Sequence, residues 1–182
     1  MPRYVILLRG INVGGKNSLS MKALKECLEE LGYANVATYI NSGNVIADSK
    51  KSATAVEAEI EEVLPAKFKL DSELIRVLAL PKATFKAMYD HRPKGFGDEP
   101  EKYHSDAIFL MRDIKVKDAV EVFDSREGVD AFWPGKGVIY HRRLSAERTK
   151  SKLNKVLATP FYKSMTIRSW QTTEKLLAMV EA

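Results

Sequence analysis

The order of strand and helix patterns occurs twice along this chain, and this repeat restricts the possible folds more than any other feature. Short apolar runs typical of strands alternate with amphipathic helix patterns in the order β-α-β-β-α-β, and the same order returns after a linking helix at about residues 81–90. This is the order of a split βαβ, or ferredoxin-like, unit. We therefore predict an α+β protein with two tandem ferredoxin-like (βαββαβ) halves and mostly antiparallel sheets, although the residues of the two halves barely match.

Local signals set the element boundaries. Strands are predicted at residues 3–8, 35–40, 44–47, 73–79, 105–111, 129–133, 138–142 and 165–169. Ser20 is placed to cap the first helix, and Thr54 with Glu57 predicts a capping box for the second. The final helix is predicted near residues 172–181. We expect a first ferredoxin-like half at residues 1–80, a linking helix and loop at 81–104, and a second half with a C-terminal helix at 105–182.

Composition excludes several classes of protein. The chain has 182 residues, 45% of them hydrophobic, which is enough for a substantial core. No apolar run approaches the roughly 20 residues of a membrane span, and the N-terminus leads directly into a strand, so we expect neither a membrane anchor nor a signal peptide. The single cysteine, Cys27, lies on an apolar helical stripe and excludes an intrachain disulfide, which favours the cytoplasm.

A glycine-rich loop follows the first strand and is the main candidate site. The segment from Leu7 to Asn17 reads Leu-Leu-Arg-Gly-Ile-Asn-Val-Gly-Gly-Lys-Asn. Glycine allows close approach of backbone N–H groups to a ligand, and Arg9 and Lys16 add positive charge. We therefore predict a loop that binds an anion such as a phosphate.

Topology brings a second loop to this site. In a split βαβ unit, the end of the first strand and the hairpin after the second lie at the same edge of the sheet, here about 10 Å apart because strands are about 4.8 Å apart. The predicted ligand-binding residues are Arg9, Gly10, Asn12, Gly14, Gly15, Lys16 and Asn17 from the loop, and Asn41, Ser42, Gly43 and Asn44 from the hairpin. The alternative is that these glycines only form turns and the asparagines only satisfy local backbone groups.

Other motif matches carry less information. Gly10 to Lys16 fits the phosphate-loop pattern GxxxxGK, but Asn17 stands where the Mg²⁺ ligand should be Ser or Thr. Residues 94–97 copy half of an RNA-binding motif, but the acidic residues that follow do not fit a strand. The three histidines have no metal-ligand spacing, so we predict no metal and no cofactor. No nucleophile–base–acid set can be assembled, which leaves open whether the chain is an enzyme.

A basic segment near the C-terminus suggests a second kind of partner. Residues 136–175 contain ten basic and two acidic residues, a net charge of +8 in a chain of net charge +5. Such a segment indicates an anionic partner or a solvated surface balanced by acids elsewhere. Secondary candidate residues in this segment are Lys152, Arg168, Trp170 and Thr172. If strand parity continues, Arg168 and Trp170 share one face.

Three segments are similar to motifs of one bacterial family. The stretch from Leu7 to Asn17 resembles the signature of the family called domain of unknown function 1697, and residues 39–45 (Tyr-Ile-Asn-Ser-Gly-Asn-Val) resemble its second motif. Residues 166–172 (Thr-Ile-Arg-Ser-Trp-Gln-Thr) are similar to its third, usually closer to T-x-R-N-W-N-T, from which Ser169 and Gln171 depart. The resemblance spans the whole chain and implies an α+β fold with two related halves. It implies no activity.

Three functions follow as alternatives. The first is a module that binds a phosphorylated or other anionic small molecule at loop 9–17 and hairpin 41–44. The second is a nucleic-acid-binding module that uses the basic segment 136–175, which we consider less favoured. The third is a homodimeric structural or interaction protein in which edge strands pair. The oligomeric state is left open.

Overall fold

The computed structural model describes residues 1–71 and 75–182, and these form two compact units. Unit 1 comprises Met1–Lys86 with Leu176–Ala182, and unit 2 comprises Ala87–Lys175. Each unit contains one four-stranded sheet. The predicted domain boundaries at residues 80 and 104 stay a prediction.

Unit 1 has the predicted βαββαβ order. Its elements are β1 (Arg3–Arg9), α1 (Met21–Glu30), β2 (Ala34–Tyr39), β3 (Asn44–Asp48), α2 (Ala53–Lys67) and β4 (Arg76–Pro81), followed by α3 (Lys82–Asp90). The strand order in sheet 1 is β2-β3-β1-β4, and every neighbouring pair is antiparallel. The third strand therefore lies between the first two, as the split βαβ pattern predicts.

The core of unit 1 lies between one face of sheet 1 and the two helices. Tyr4, Ile6 and Leu8 alternate along β1 and share a buried cluster with α1 and α2. Cys27 belongs to this cluster, and burial raises the pKa of its thiol. This supports a core role for Cys27, because only the thiolate is a strong nucleophile.

Unit 2 repeats the same topology. Its elements are β5 (Tyr103–Leu110), α4 (Val116–Ala119), β6 (Asp130–Pro134), β7 (Val138–Leu144), α5 (Leu153–Leu157), β8 (Met165–Ser169) and α6 (Trp170–Glu181), with 3₁₀ turns at Val120–Val122, Ser145–Lys150 and Pro160–Ser164. The strand order in sheet 2 is β6-β7-β5-β8. Two sheets of identical topology confirm the predicted α+β fold with two ferredoxin-like halves.

The two halves also share one detailed junction. In unit 1 the backbone N–H of Leu8, near the end of β1, donates to the carbonyl of Gly43 in the β2–β3 hairpin at 2.8 Å. In unit 2 the N–H of Leu110, at the end of β5, donates to the carbonyl of Gly137 in the β6–β7 hairpin at 3.0 Å. Both glycines have positive φ, +83° and +73°. The halves are therefore equivalent at the level of single hydrogen bonds.

The loop after α3 covers the face of sheet 2 that α4 and α5 leave open. Phe96 is buried and packs edge-on against Trp133, Tyr140 and Trp170, at centroid distances of 6.0, 5.5 and 5.1 Å. Gly97 lies directly against the indole of Trp170. The resemblance of residues 94–97 to an RNA-binding motif has no structural counterpart, because Phe96 lies in this loop and not on a strand.

Some predicted boundaries differ from the structure. The second helix begins at Ala53, and Ser52 is its N-cap, because the Ser52 hydroxyl accepts from the N–H of Ala55. The predicted Thr54–Glu57 capping box is therefore wrong; Glu57 instead accepts from the N–H of Ala79 at 2.9 Å. The predicted strand at 73–79 is observed as Arg76–Pro81, and its first two residues lie outside the described residues.

Candidate functional site

The loop after β1 and the β2–β3 hairpin are in direct contact, closer than the 10 Å we predicted. The Nδ2 atom of Asn12 donates to the carbonyl of Asn41 at 2.8 Å. A Cβ atom on Gly43 would lie 2.8 Å from the Cβ of Leu8, so only glycine fits where the hairpin crosses the strand end. We call residues 9–17 and 40–44 together the rim.

Three asparagine side chains of the rim bond to backbone groups within the rim or directly beside it. Asn12 also donates to the carbonyl of Leu19 at 2.9 Å and accepts from the N–H of Leu19 at 2.7 Å. The Nδ2 atom of Asn17 donates to the carbonyl of Gly10 at 2.7 Å, and that of Asn44 donates to the carbonyl of Tyr39 at 3.1 Å. These contacts give the three asparagines a structural role in fixing the rim.

The tip of the glycine-rich loop is a tight turn. The N–H of Lys16 donates to the carbonyl of Val13 at 2.9 Å, and the reverse bond is 3.3 Å. Gly14 and Gly15 occupy the two central positions with φ of +57° and +74°, which is the pattern of a type I′ turn. Both are exposed, and a Cβ on either would meet no atom within 4 Å.

The loop uses several of its backbone N–H groups internally. Those of Asn12 and Val13 donate to the carbonyls of Asn17 and Lys16, and that of Asn17 donates to the Asp71 carboxylate at 2.7 Å. Within residues 1–71 and 75–182, the N–H groups of Gly14 and Gly15 have no hydrogen-bond partner. Gly14 and Gly15 therefore offer two adjacent backbone N–H groups at the exposed tip of the loop.

Positive charge at the rim comes from three side chains. Lys16 is exposed and forms no ion pair with a described residue. Arg9 lies at the end of β1, directly opposite Arg76 in the antiparallel register with β4. Arg76 was missing from our predicted residues, because only the pairing of the strands brings it beside Arg9.

The hairpin carries backbone strain. Ile40 has φ of +46°, a conformation that is unfavourable for a β-branched residue, and its side chain is 52% exposed. The side chain is not buried and has no hydrogen-bonding group, so neither core packing nor a side-chain hydrogen bond explains this conformation. Strained and exposed residues of this kind are concentrated at functional sites.

The secondary candidates do not form one cluster. Lys152 forms an ion pair with Asp124, and its N–H donates to buried Asp130 at 2.7 Å. Arg168 lies on β8, where its Nη1 donates to the Thr166 hydroxyl at 2.9 Å, and burial lowers its pKa to about 10.

The other two secondary candidates lie at the start of α6. Trp170 is its first residue, so it does not continue the strand parity of Arg168, and its buried ring stacks on Tyr89 at 5.0 Å. The N–H of Thr172 donates to the hydroxyl of Ser169 at 3.2 Å, which caps the helix. The contacts named above for Lys152, Arg168, Trp170 and Thr172 all lie within unit 2.

Two cavities of unit 2 are a feature that our sequence analysis missed. The first has a volume of about 170 Å³ and lies where β5 begins and α6 starts. The second, also of about 170 Å³, shares Tyr103 with it. The lining residues are Gly97, Pro100, Tyr103, His104, Ser105, Ser169, Trp170, Gln171 and Glu174 for the first, and Tyr103, Arg142 and residues 128–131 for the second.

A buried polar group lies next to these cavities. The carboxylate of Asp130 accepts from the hydroxyl of Ser151 at 2.7 Å. Burial raises the pKa of Asp130, but its hydrogen bonds, including this one, lower the pKa by more. His141 is 1% exposed, neither of its ring nitrogens has a hydrogen-bond partner among the described residues, and burial lowers its pKa to about 4. Among the described residues, no group of three or more His, Cys, Asp or Glu side chains is arranged to hold a metal ion.

Neither unit offers a membrane-spanning element: over the part of the chain that the structure describes, each helix is too short or too polar to cross a bilayer.

Comparison with known proteins places the chain. A solved structure described as conserved bacterial protein SP0830 from Streptococcus pneumoniae matches with a TM-score of 0.81 and 27% sequence identity, over 98% of each chain. No curated protein gives a significant match. The model of the family described as protein of unknown function (DUF1697) matches residues 1–140. The chain therefore belongs to the DUF1697 family.

Proposed function

We propose that the rim binds an anionic small molecule, such as a phosphorylated metabolite, at the turn from Val13 to Lys16. The observation that carries this proposal is the pair of N–H groups on the exposed residues Gly14 and Gly15, followed in the chain by the exposed Lys16, whose ammonium pairs with no carboxylate of the described residues. Successive backbone N–H groups in a positive-φ turn form a concave surface that favours anions. A phosphate oxygen in that surface would lie within reach of the lysine.

Comparison of the two halves supports this assignment. The junction of strand and hairpin occurs in both units, through Leu8 and Gly43 in one and Leu110 and Gly137 in the other. In unit 2, however, β5 is followed by Met111, whose N–H donates to the carbonyl of Ser164, and no glycine-rich turn follows. The turn is therefore not required by the topology, which favours a role in binding.

The asparagines contribute to the proposed site indirectly. Asn12 joins the loop to the hairpin, and Asn17 holds both the carbonyl of Gly10 and, through its N–H, the carboxylate of Asp71. A loop that is already fixed loses little conformational entropy when it binds a ligand. Arg9 and Arg76 add positive potential at the base of the loop.

Titration of the ¹⁵N-labelled full chain with inorganic pyrophosphate tests the proposal. We expect the amide signals of Gly14, Gly15 and Lys16 to shift with saturation, and Lys16→Ala to weaken binding by about tenfold, since one charge-assisted contact contributes about 1.5–3 kcal/mol. Lys16→Arg should retain most of the affinity. Lys50→Ala, which removes an exposed charge just beyond the opposite end of β3, is the matched control and should bind like the wild type.

Two results would refute the proposal. One is the lack of any saturable shift at Gly14 and Gly15 with millimolar pyrophosphate. The other is an equal affinity for pyrophosphate in the wild type, Lys16→Ala and Lys50→Ala, which would assign the effect to overall charge.

We propose no reaction and no catalytic residue for this site. Cytoplasmic residence and a homodimer with paired edge strands both stay predictions.

A further inference from the structure

Three arginines lie near the end of sheet 2 where β5 begins. Arg142 and Arg143 are successive residues of β7, opposite Ser105 and His104 of β5, so their side chains leave opposite faces of the sheet, and Arg148 follows in the next 3₁₀ turn. The hydrogen bond that His104 donates to the Asp106 carboxylate raises the pKa of this histidine, and the positive charges of Arg143 and Arg148 act in the opposite direction. We call Tyr103, His104, Arg142, Arg143 and Arg148 the arginine end.

These arginines are not neutralised by carboxylates of the described residues. Three neighbouring acids have other partners: Glu147 pairs with Lys150 at 2.6 Å, Asp106 pairs with His104 at 3.2 Å, and Asp130, opposite Arg143 on β6, accepts from Ser151 at 2.7 Å. At the equivalent end of sheet 1, by contrast, Arg3 pairs with Asp48 at 3.2 Å. The uncompensated charge is therefore specific to unit 2 and is not a requirement of the fold.

Aromatic rings lie among these charges. The guanidinium of Arg142 lies 4.1 Å from the ring centroid of Tyr103 and 5.3 Å from that of Trp133. The ammonium of Lys102 lies 4.9 Å from the Tyr103 centroid. The rings of Tyr103 and Trp133 and the side chain of Arg142 are partly exposed. Aromatic rings and arginine planes are the groups on which unpaired nucleobases stack.

Both cavities border Tyr103, and their size suits a small flat group. Each measures about 170 Å³, below the roughly 300–1,000 Å³ of pockets for drug-sized ligands. Glu174 and Gln171 are among the lining residues of the first cavity. A carboxylate repels a phosphate but accepts a hydrogen bond from an exocyclic amino group of a base. The first cavity therefore favours a base, while Arg142, which lines the second cavity, favours a phosphate.

The rest of this sheet face is closed. In RNA-recognition modules, bases stack on the middle of the open sheet face. Here Phe96 occupies that position against Tyr140 and Trp133. A nucleic acid would therefore contact only the arginine end, with a short footprint. Duplex recognition is disfavoured, because the bases of a duplex cannot enter the cavity without unstacking.

We infer that the arginine end binds single-stranded nucleic acid that passes over the end of sheet 2, with a base beside Tyr103, one phosphate on Arg142 and further phosphates on Arg143 and Arg148 beyond the strand end. This goes beyond the proposed small-anion site, which lies in unit 1 and shares no residue with it. Failure of one proposal leaves the other intact, since Lys16→Ala should not change oligonucleotide binding.

Fluorescence anisotropy with a labelled mixed-sequence 10-nucleotide DNA and RNA tests the inference on the full chain. With three phosphates neutralised, we expect a slope of about −2 for log K against log[salt], and Arg148→Gln should reduce its magnitude by about 0.7. Tyr103→Leu should weaken binding at least fivefold, and Tyr103→Phe should bind within about twofold of the wild type, because the ring is retained. Lys22→Ala, an exposed charge on α1, is the control for lost charge.

Folding of each variant is checked first by its thermal melt, and Arg148→Gln is the variant least affected by packing because Arg148 is exposed. The inference is overturned if the wild type shows no salt-dependent binding at about 50 mM NaCl. It is also overturned if a DNA duplex or polyaspartate competes as well per charge as the single strand. Equal affinities of Tyr103→Leu and Tyr103→Phe would equally exclude stacking on this ring.

Discussion

The side chain of Asn12 provides the sharpest test of how the rim is held. It makes three hydrogen bonds, two to Leu19 and one to the carbonyl of Asn41, at 2.7 to 2.9 Å. Each such bond contributes about 0.5–1.5 kcal/mol net, and partial exposure places the sum near the low end, at about 2 kcal/mol. Asn12 also has φ of +52°, where an alanine costs about 1–2 kcal/mol more than a glycine.

Three substitutions separate these contributions. We expect Asn12→Gly to lower the free energy of unfolding by about 2 kcal/mol and Asn12→Ala by about 3 kcal/mol. Asn12→Asp should retain the bond from the N–H of Leu19 but place a carboxylate against the carbonyls of Leu19 and Asn41, so it should be less stable at neutral pH than in acid.

Urea unfolding followed by circular dichroism measures the free energies, and amide hydrogen exchange of Leu19 reports the local bond. Far-ultraviolet circular dichroism is required because both tryptophans, Trp133 and Trp170, lie in unit 2. The reasoning is refuted if Asn12→Ala and Asn12→Gly both remain within about 0.5 kcal/mol of the wild type. It is also refuted if the exchange of the Leu19 amide is unchanged.

Three further predictions follow from unit 2 and from α2. Because burial lowers the pKa of His141 to about 4 while the unfolded chain takes up the proton near pH 6.5, stability should fall by up to about 3 kcal/mol as the pH falls through this window. His141→Gln should remove this loss when urea unfolding is measured as a function of pH. His104, whose raised pKa has the opposite effect on stability, is present in both proteins, so its contribution cancels when the variant is compared with the wild type. Gly97→Ala places a Cβ 2.3 Å from Cδ1 of Trp170 at φ of +86°, so tryptophan-detected unfolding should show a loss of about 3 kcal/mol, whereas Gly128→Ala, at φ of +73° with nothing within 4 Å, should lose only about 1–2 kcal/mol. In thermal melts, Ser52→Ala should lower the stability by about 1 kcal/mol and Thr54→Ala by less than about 0.5 kcal/mol, because Ser52 is the N-cap of α2. A larger loss for Thr54→Ala than for Ser52→Ala would instead support the capping box predicted from sequence.

Much of the fold could be predicted because it depends on local periodicity. The apolar run of β1, the Ser20 cap and the Asn-Ser-Gly turn are each specified within a few residues, and the element order then selects the topology. The meeting of the loop with the hairpin follows from that topology alone. Contacts between distant residues could not be predicted in the same way, such as the Asp71 carboxylate on the N–H of Asn17.

The candidate sites show the same division between local and distant information. The glycines and Lys16 are adjacent in sequence and were found by their pattern. Arg76 reaches the rim only through its pairing with Arg9, and Tyr103 reaches Arg142 only through the β5–β7 register. The net charge counted from the sequence also overestimates the exposed positive charge of residues 136–175, because Lys150 and Lys152 form ion pairs and Arg168 is buried.

The duplicated topology helps to separate structural residues from candidate binding residues. A feature that both halves share, such as the strand N–H on the hairpin glycine, is required to build the sheet. Over the residues that the structure describes, the exposed glycine turn occurs in unit 1 and has no counterpart in unit 2, and the arginines without ion pairs, Arg142, Arg143 and Arg148, lie in unit 2, at the opposite end of an equivalent sheet. Since the same fold forms without each feature in the other half, neither is explained by folding. If the proposals hold, removing either feature should therefore reduce binding by its own half and leave the stability of both halves nearly unchanged.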